Sequence, residues 1–306
     1  MRCVFNNPFE ARGSWFKGNL HAHSTNSDGS RTCEQLVDLY RSAGYNFLSV
    51  TDHGVLTDTR DYCGRDFVTI PGEEVSVGAS EVGTFFHIVG VNICRQLPIE
   101  DYDRGISPQR AIDLIREAGG VAILAHPYWS GLNHHDLVGL EGYIGVEIYN
   151  TSCDVVRNLG YSAVHVDGLI AAGRRPLIFA TDDHHGEDRE LRPLDACGSW
   201  IMVKAESLTI RDLMSSITRG LFYSSMGPEI KGIRIDEEGI TVETSPVKTI
   251  SFVSTPSKGD KFTAEDTPLT RVTYPGREGE TYVRIEITDY KGRTAWSNPI
   301  YYQPCG

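Results

Sequence analysis

Through residue 227 the sequence alternates short apolar runs with stretches of helical period, and this alternation constrains the fold more than any other feature. "WFKGNLHAH" (15–23), "FLSVTDH" (47–53), "FVTIPGEEVSV", "FFHIVGVN", "VAILAHP", "GVEIYN", "PLIFATDDHH" and "SWIMVKA" read as strands. "TCEQLVDLYRSAGY" (32–45) carries Leu36, Leu39 and Tyr40 at helical spacing, and "SPQRAIDLIREAGG" has Pro108 at its start. A segment from about Asp154 to Gly173 and "SLTIRDLMSSITRG" complete the helices. Repeated strand–helix alternation predicts an α/β fold with a largely parallel sheet, and seven or so such strands suggest a closed or distorted barrel. The pattern changes at Gly227-Pro228. Beyond it Val283, Ile285 and Ile287 alternate with Arg284 and Glu286, "DYKG" supplies a turn and no helical period appears. The expected division is a barrel over residues 1–227 and a small antiparallel, β-sandwich-like module over 228–306.

Composition narrows the function classes. The formal charge is −12, and residues 228–306 hold 10 basic and 12 acidic side chains, which leaves about −10 on the barrel portion. Affinity for long nucleic acids comes largely from Lys and Arg clusters, so such a partner is disfavoured and bound cations are favoured. No run approaches the length of a membrane span, and the N-terminus lacks the layout of a signal peptide, so a cytoplasmic protein is expected. The seven cysteines are scattered and never at C-x-x-C spacing, which signals neither a disulfide framework nor a cysteine-based zinc site.

The histidines and carboxylates are not scattered. His21 and His23 follow the first predicted strand, Asp28 comes shortly after, Asp52-His53 follow the second, and Glu73-Glu74 lie within the third. His126 precedes Pro127, and Asp182-Asp183-His184-His185 follow "PLIFAT". Barrel active sites are built at the C-terminal ends of the strands, so these side chains should converge. Imidazole with carboxylate suits Zn, Mn or Fe, and the lack of a thiolate cluster argues for an open catalytic site rather than a structural zinc knot. Two or three such ions can bind a phosphate, generate hydroxide at neutral pH and stabilise an in-line displacement.

With these motifs in order, "HAHSTNSDG", "TDH", "PGEEVS", "FHIVG", "AHP" and "ATDDH", the sequence resembles the PHP (polymerase and histidinol phosphatase) family of metal-dependent phosphoesterases over roughly residues 14–227. The resemblance implies a distorted (βα)7 barrel with a trinuclear centre. It would assign one ion to His21, His23, Glu74 and Asp182, a second to Asp28, His53 and His184, and a third to Glu74 with His87 and His126. Glu74 is preferred to Glu73 because Gly72 sets the register of the family's G-x-E. The last motif departs from the family by beginning Ala180-Thr181 in place of Gly-Ser, and His185 is an extra histidine with no assigned role.

Other residues carry bland readings beside functional ones. His87 could be a satisfied core histidine, Asp52 a helix cap or a group fixing the tautomer of a neighbouring His, and Asp183 stands in the same position. His134 and His135 read as loop histidines, Glu147 and Asn150 could face the rim or serve structure, and Lys17, Arg189, Arg192 and Lys204 could meet phosphate or simply be solvated. Trp296 fits a core or seam better than a carbohydrate platform. The expected activity is hydrolysis of a small phosphate ester by metal-activated hydroxide, with Glu74, Asp182 and His184 as the catalytic set. An amidohydrolase-like C–N hydrolase is the nearest alternative, but it tends to use a Lys that this chain lacks among the candidate ligands. A metal-binding module without catalysis is the other.

Overall fold

The computed structural model describes residues 3–186, 195–254 and 257–303. Strands Ser14–Asn19, Phe47–Val50 and Val68–Val77 pair in parallel, as do Val121–Leu124, Gly145–Asn150 and Leu177–Thr181. Between the two sets Phe86–Val91 runs antiparallel to both neighbours. Only residues 78–85 join it to the preceding strand, too few for a helical crossover, so the chain turns back as a hairpin. The reversal has a functional effect: it carries the N-terminal end of this strand, with His87, to the mouth where the parallel strands end.

Hydrophobic alternation places the layers. Phe47, Ile70, Val89, Ile123 and Phe179 face the inside of the curved sheet, which Leu213, Met214 and Ile217 of helix Ile210–Thr218 plug. Ile88, Leu124, Val146 and Ile178 face outward against Ile112 and Ile115 of helix Pro108–Glu117 and Val166 and Leu169 of helix Ala163–Ala171. The expected helix over 32–45 forms as Cys33–Ser42, started by a capping box between Thr32 and Gln35. The segment expected as one helix from about 154 to 173 is two, Thr151–Arg157 and Ala163–Ala171. Asn158 ends the first in the left-handed region at φ 59°, and Gly160 lies so close to Asn150 O and Asp154 that a side chain there would collide with them.

The sheet does not close as a ladder. Leu177–Thr181 and Ser14–Asn19 are instead joined past their ends by a parallel bridge between Ala22 and His184, where His23 N donates to His184 O at 2.9 Å and Asp183 N donates to His21 O at 2.8 Å. On the other side of Ser14–Asn19 the sheet continues through Trp200–Ala205 and Phe222–Ser225, both antiparallel. Phe222–Ser225 then pairs with Thr294–Ser297, so the C-terminal antiparallel module is hydrogen-bonded onto the same sheet. A separate three-stranded sheet of Ile230–Asp236, Gly239–Val247 and Leu269–Tyr274 covers it. Trp296 is buried at the seam, stacked on Tyr149 at 6.0 Å between ring centres. Among the described residues no helix is long and apolar enough to cross a membrane.

Candidate metal centre

Glu74 stands at the middle of a buried cluster. Its Oε2 lies 3.0 Å from His21 Nε2, 3.1 Å from His23 Nε2 and 3.4 Å from His53 Nε2, and its Oε1 lies 3.1 Å from His87 Nδ1 and 3.3 Å from His126 Nε2. Local structure explains the convergence. His21 and His23 are two apart in extended chain and share a face while Ala22 packs into the core on the other. Glu74 shares inward parity with Ile70, and His87 with Val89. His126 leaves its strand at φ 25°, a sparsely populated conformation for a non-glycine residue, which turns its ring into the mouth.

Glu73, on the opposite face, accepts from Leu97 N and Gln96 Nε2, and burial, with a smaller push from the Asp101 charge, raises its carboxyl to about 7. Asp28, on the loop after His23, is half exposed and lies 3.3 Å from His185 Nε2, 3.6 Å from His23 Nδ1 and 3.9 Å from His53 Nε2.

The last motif is occupied one residue later than expected. Asp182 points away from the cluster and accepts hydrogen bonds from Tyr40 Oη at 2.8 Å, Thr151 Oγ1 at 2.9 Å and the backbone N–H groups of Cys197, Gly198 and Ser199 at 2.7, 3.0 and 2.8 Å. His184 is likewise outside it, held by Asp195 at 2.5 Å and by Arg31 at 3.1 Å. Asp183 takes the place, with Oδ1 3.1 Å from His21 Nε2 and 3.0 Å from His23 Nε2. His185 stands over Asp28, its Nδ1 donating to Asp183 O at 2.8 Å. "DDHH" contains two D-x-H pairs one residue apart, and the backbone selects the second: strand Leu177–Thr181 ends before the motif, and Asp183, at φ 54°, presents its carboxylate to His21 and His23 with His185 over Asp28, while Asp182 and His184 face other partners.

Supporting groups fix the rings. Glu147 accepts from His21 Nδ1 at 2.7 Å, from Thr181 Oγ1 at 2.7 Å and from His126 N at 2.8 Å, and Asn150 Nδ2 donates to both Glu147 and Asp183. Asp52 ties the loop below by accepting from Ser24 N, Ser24 Oγ, Ser27 Oγ and Thr57 Oγ1, and it does not touch a cluster imidazole. The remaining expectations fall elsewhere. Lys17 lies over the Tyr45 and Trp200 rings and Lys204 over Trp15, while His134 and His135 begin a short helix, His134–Val138. Arg189 and Arg192 lie outside the described residues. Arg157, which sequence reasoning passed over, is the permanent cation among the described residues lining the cavity of about 450 Å³ above the cluster.

The donor set fits divalent cations. A carboxylate can only accept, so in the neutral ring His21 Nδ1 carries the hydrogen and turns the Nε2 lone pair toward Glu74 Oε2, Asp183 Oδ1 and His23 Nε2, the last at 3.2 Å. Acceptors facing acceptors at such distances require positive charge between them. The titration behaviour agrees. Burial opposes charging of His21, yet Asp183, Glu74 and Glu147 raise its pKa well above the usual range; burial opposes ionisation of Glu74 and Asp183, yet the surrounding imidazoles hold both well below theirs. Two sets of four residues have one donor atom each within 4.8 Å of one another: His21, His23, Glu74 and Asp183, and His23, Asp28, His53 and His185; His53, Glu74 and His87 form a set of three.

No family model matches the sequence. A two-domain protein of Bacteroides vulgatus ATCC 8482, described as containing a predicted PHP-like metal-dependent phosphoesterase, superposes with a TM-score of 0.51 at 17% identity, over 90% of this chain and 91% of its own. The fold is PHP-like. An amidohydrolase of Chromobacterium violaceum, solved with sulfate and no metal, is 19% identical over 57% of this chain and 90% of its own at a TM-score of 0.44. An uncharacterized protein of Methanocaldococcus jannaschii is 24% identical over 168 residues, 50% of this chain and 86% of its own. The likeness to that two-domain protein thus extends into the C-terminal module, and the strand-end mouth of this chain carries the histidine and carboxylate cluster.

Proposed function

We propose that the chain is a metal-dependent hydrolase of small phosphate esters. The observation that carries this reading is a single carboxylate, Glu74, within 3.0–3.4 Å of nitrogens from five histidines. We assign one ion to His21, His23, Glu74 and Asp183, a second to Asp28, His53 and His185, and a third to Glu74, His87 and His126, with zinc, manganese or iron as the candidates. Bound there, such ions would polarise phosphoryl oxygens and acidify water at neutral pH. Glu74, Asp183 and His185 therefore replace the catalytic set expected from sequence.

The chain's own contributions follow from position. Glu147 keeps His21 in one tautomer and orientation. Arg157 offers the cavity a fixed cation for a phosphoryl oxygen or a second anionic group of the substrate. A cavity of about 450 Å³ admits a small molecule, and the surrounding charge balance supports no long nucleic acid. Every group of the site lies before residue 228, which supports treating 1–227 as the chemical unit. Free thiols at Cys33, Cys153 and Cys197 fit a reducing compartment, and we place the protein in the cytoplasm.

The test is hydrolysis of p-nitrophenyl phosphate in Mn²⁺, with EDTA as control and metal content measured alongside. Glu74→Gln is expected to lose bound metal and turnover together. Retention of both in the variant would overturn the reading.

A further inference from the structure

Among the described residues Cys153 is the one thiol that lines the cavity above the cluster. It is 4% exposed, in the first turn of Thr151–Arg157, and its backbone N–H donates to Asn150 Oδ1 at 2.9 Å. The same Asn150 side chain donates to Asp183 Oδ2 at 3.2 Å, so one amide holds the thiol and the carboxylate in fixed relation. Cys153 Sγ lies 3.9 Å from Asp183 Oδ2, and His126 Nε2 lies 3.7 Å from the same oxygen. One donor atom from each of His126, Cys153 and Asp183 falls within 4.8 Å of the others. With ion–donor lengths of about 2.0–2.3 Å, donors sharing one tetrahedral ion stand roughly 3.3–3.8 Å apart, so separations of 3.7 and 3.9 Å need a contraction of only a few tenths of an ångström.

Building on the proposal that the cluster binds divalent ions, we infer that Cys153 is a ligand to one of them, together with His126 and Asp183, and that it biases this position toward thiophilic ions. His126 then has a choice of partners, Glu74 and His87 on one side or Cys153 and Asp183 on the other. A hard ion such as Mn²⁺ gains nothing from a thiolate and favours the side of Glu74 and His87, whereas Zn²⁺ or Cd²⁺ gains from sulfur. Binding through sulfur expels the thiol proton to solvent and forms one metal–sulfur bond with no change of oxidation state.

The probe is the full-length chain, stripped with chelator and titrated with Co²⁺ or Cd²⁺, read by the near-ultraviolet sulfur-to-metal charge-transfer absorption and by counting bound ions. The wild type is expected to show the band, Cys153→Ser to lose it while still binding ions, and Cys63→Ser and Cys94→Ser, at exposed thiols, to keep it. Zn²⁺ affinity should fall by roughly tenfold or more in Cys153→Ser, with Mn²⁺ affinity changed by less than about threefold. Ions bound without the band in the wild type, or a band that survives in Cys153→Ser, would overturn the ligand assignment alone. Failure of the wild type to bind any ion would overturn the metal-centre reading beneath it.

Discussion

Asp182 and Asp183 are chemically identical neighbours with opposite surroundings, and the difference is set just past the strand end, where Asp183 adopts a left-handed φ of 54°. Replacing Asp182 with Ala strips the partner from six donors, four of them buried, so it is expected to cost about 3 kcal/mol of stability in urea unfolding. Asp183→Asn should leave the unfolding midpoint of the metal-free chain near that of the wild type and lower the number of ions bound. Glu147→Gln disturbs His21 and the backbone of His126 without touching an ion itself and is expected to weaken metal affinity by roughly 10–100-fold, read by competition with a chelating dye. Most of this was legible in the sequence: His21, His23, Asp28, His53, Glu74, His87 and His126 all meet. The last pair was not, because "DDHH" satisfies the motif in two registers, and the choice rests on a left-handed turn at Asp183, beyond the strand end, that alternation cannot foresee. Arg157 and Cys153 carried no motif at all; only the break between two helices turns them to the cavity.

Among the elements, strands were easier to read than their directions. Apolar runs located each strand, yet nothing in "FFHIVGVN" says that it runs against its neighbours; that follows from the short connection before it. Helix starts at Thr32 and Ser107 carried their capping chemistry openly, whereas the division near Asn158 depends on a left-handed turn that a long apolar-and-polar stretch conceals. Contact between Gly145–Asn150 and Leu177–Thr181 leaves no room for a side chain at position 145, where a Cβ would lie 2.4 Å from Leu177 O and from the Phe179 ring. Gly145→Ala is therefore expected to destabilise by about 1–3 kcal/mol in chemical denaturation. Because Glu147 stands two residues along the same strand, metal affinity should weaken with it.

For the whole molecule, the C-terminal module is fastened to the barrel by backbone pairing and by one buried ion pair. Arg284, 2% exposed, reaches out of strand Tyr282–Thr288 to grip Asp167 of helix Ala163–Ala171 at 2.8 and 2.7 Å, and it also contacts Glu286. Arg284→Ala is expected to cost about 3 kcal/mol, and a double-mutant cycle with Asp167→Ala should show that the two losses are not additive. The module's strand alternation was plain in the sequence, but its continuity with the barrel sheet was not, since pairing between Phe222–Ser225 and Thr294–Ser297 joins segments some 70 residues apart.

The seam where the two ends of the sheet meet has a mechanical consequence. The bridge around Ala22 and His184 spans it together with hydrogen bonds between Asn19 and Asp182, and the side chains flanking that bridge, His21, His23 and Asp183, are those that crowd one carboxylate. Cations seated among them would act as a buckle on an otherwise open hoop. Deuterium uptake at the His23 and Asp183 amides should accordingly slow when ions are supplied and quicken when they are chelated, while amides in the middle of Val68–Val77 stay indifferent. Equal uptake in both conditions would mean that the hoop holds its shape without the buckle.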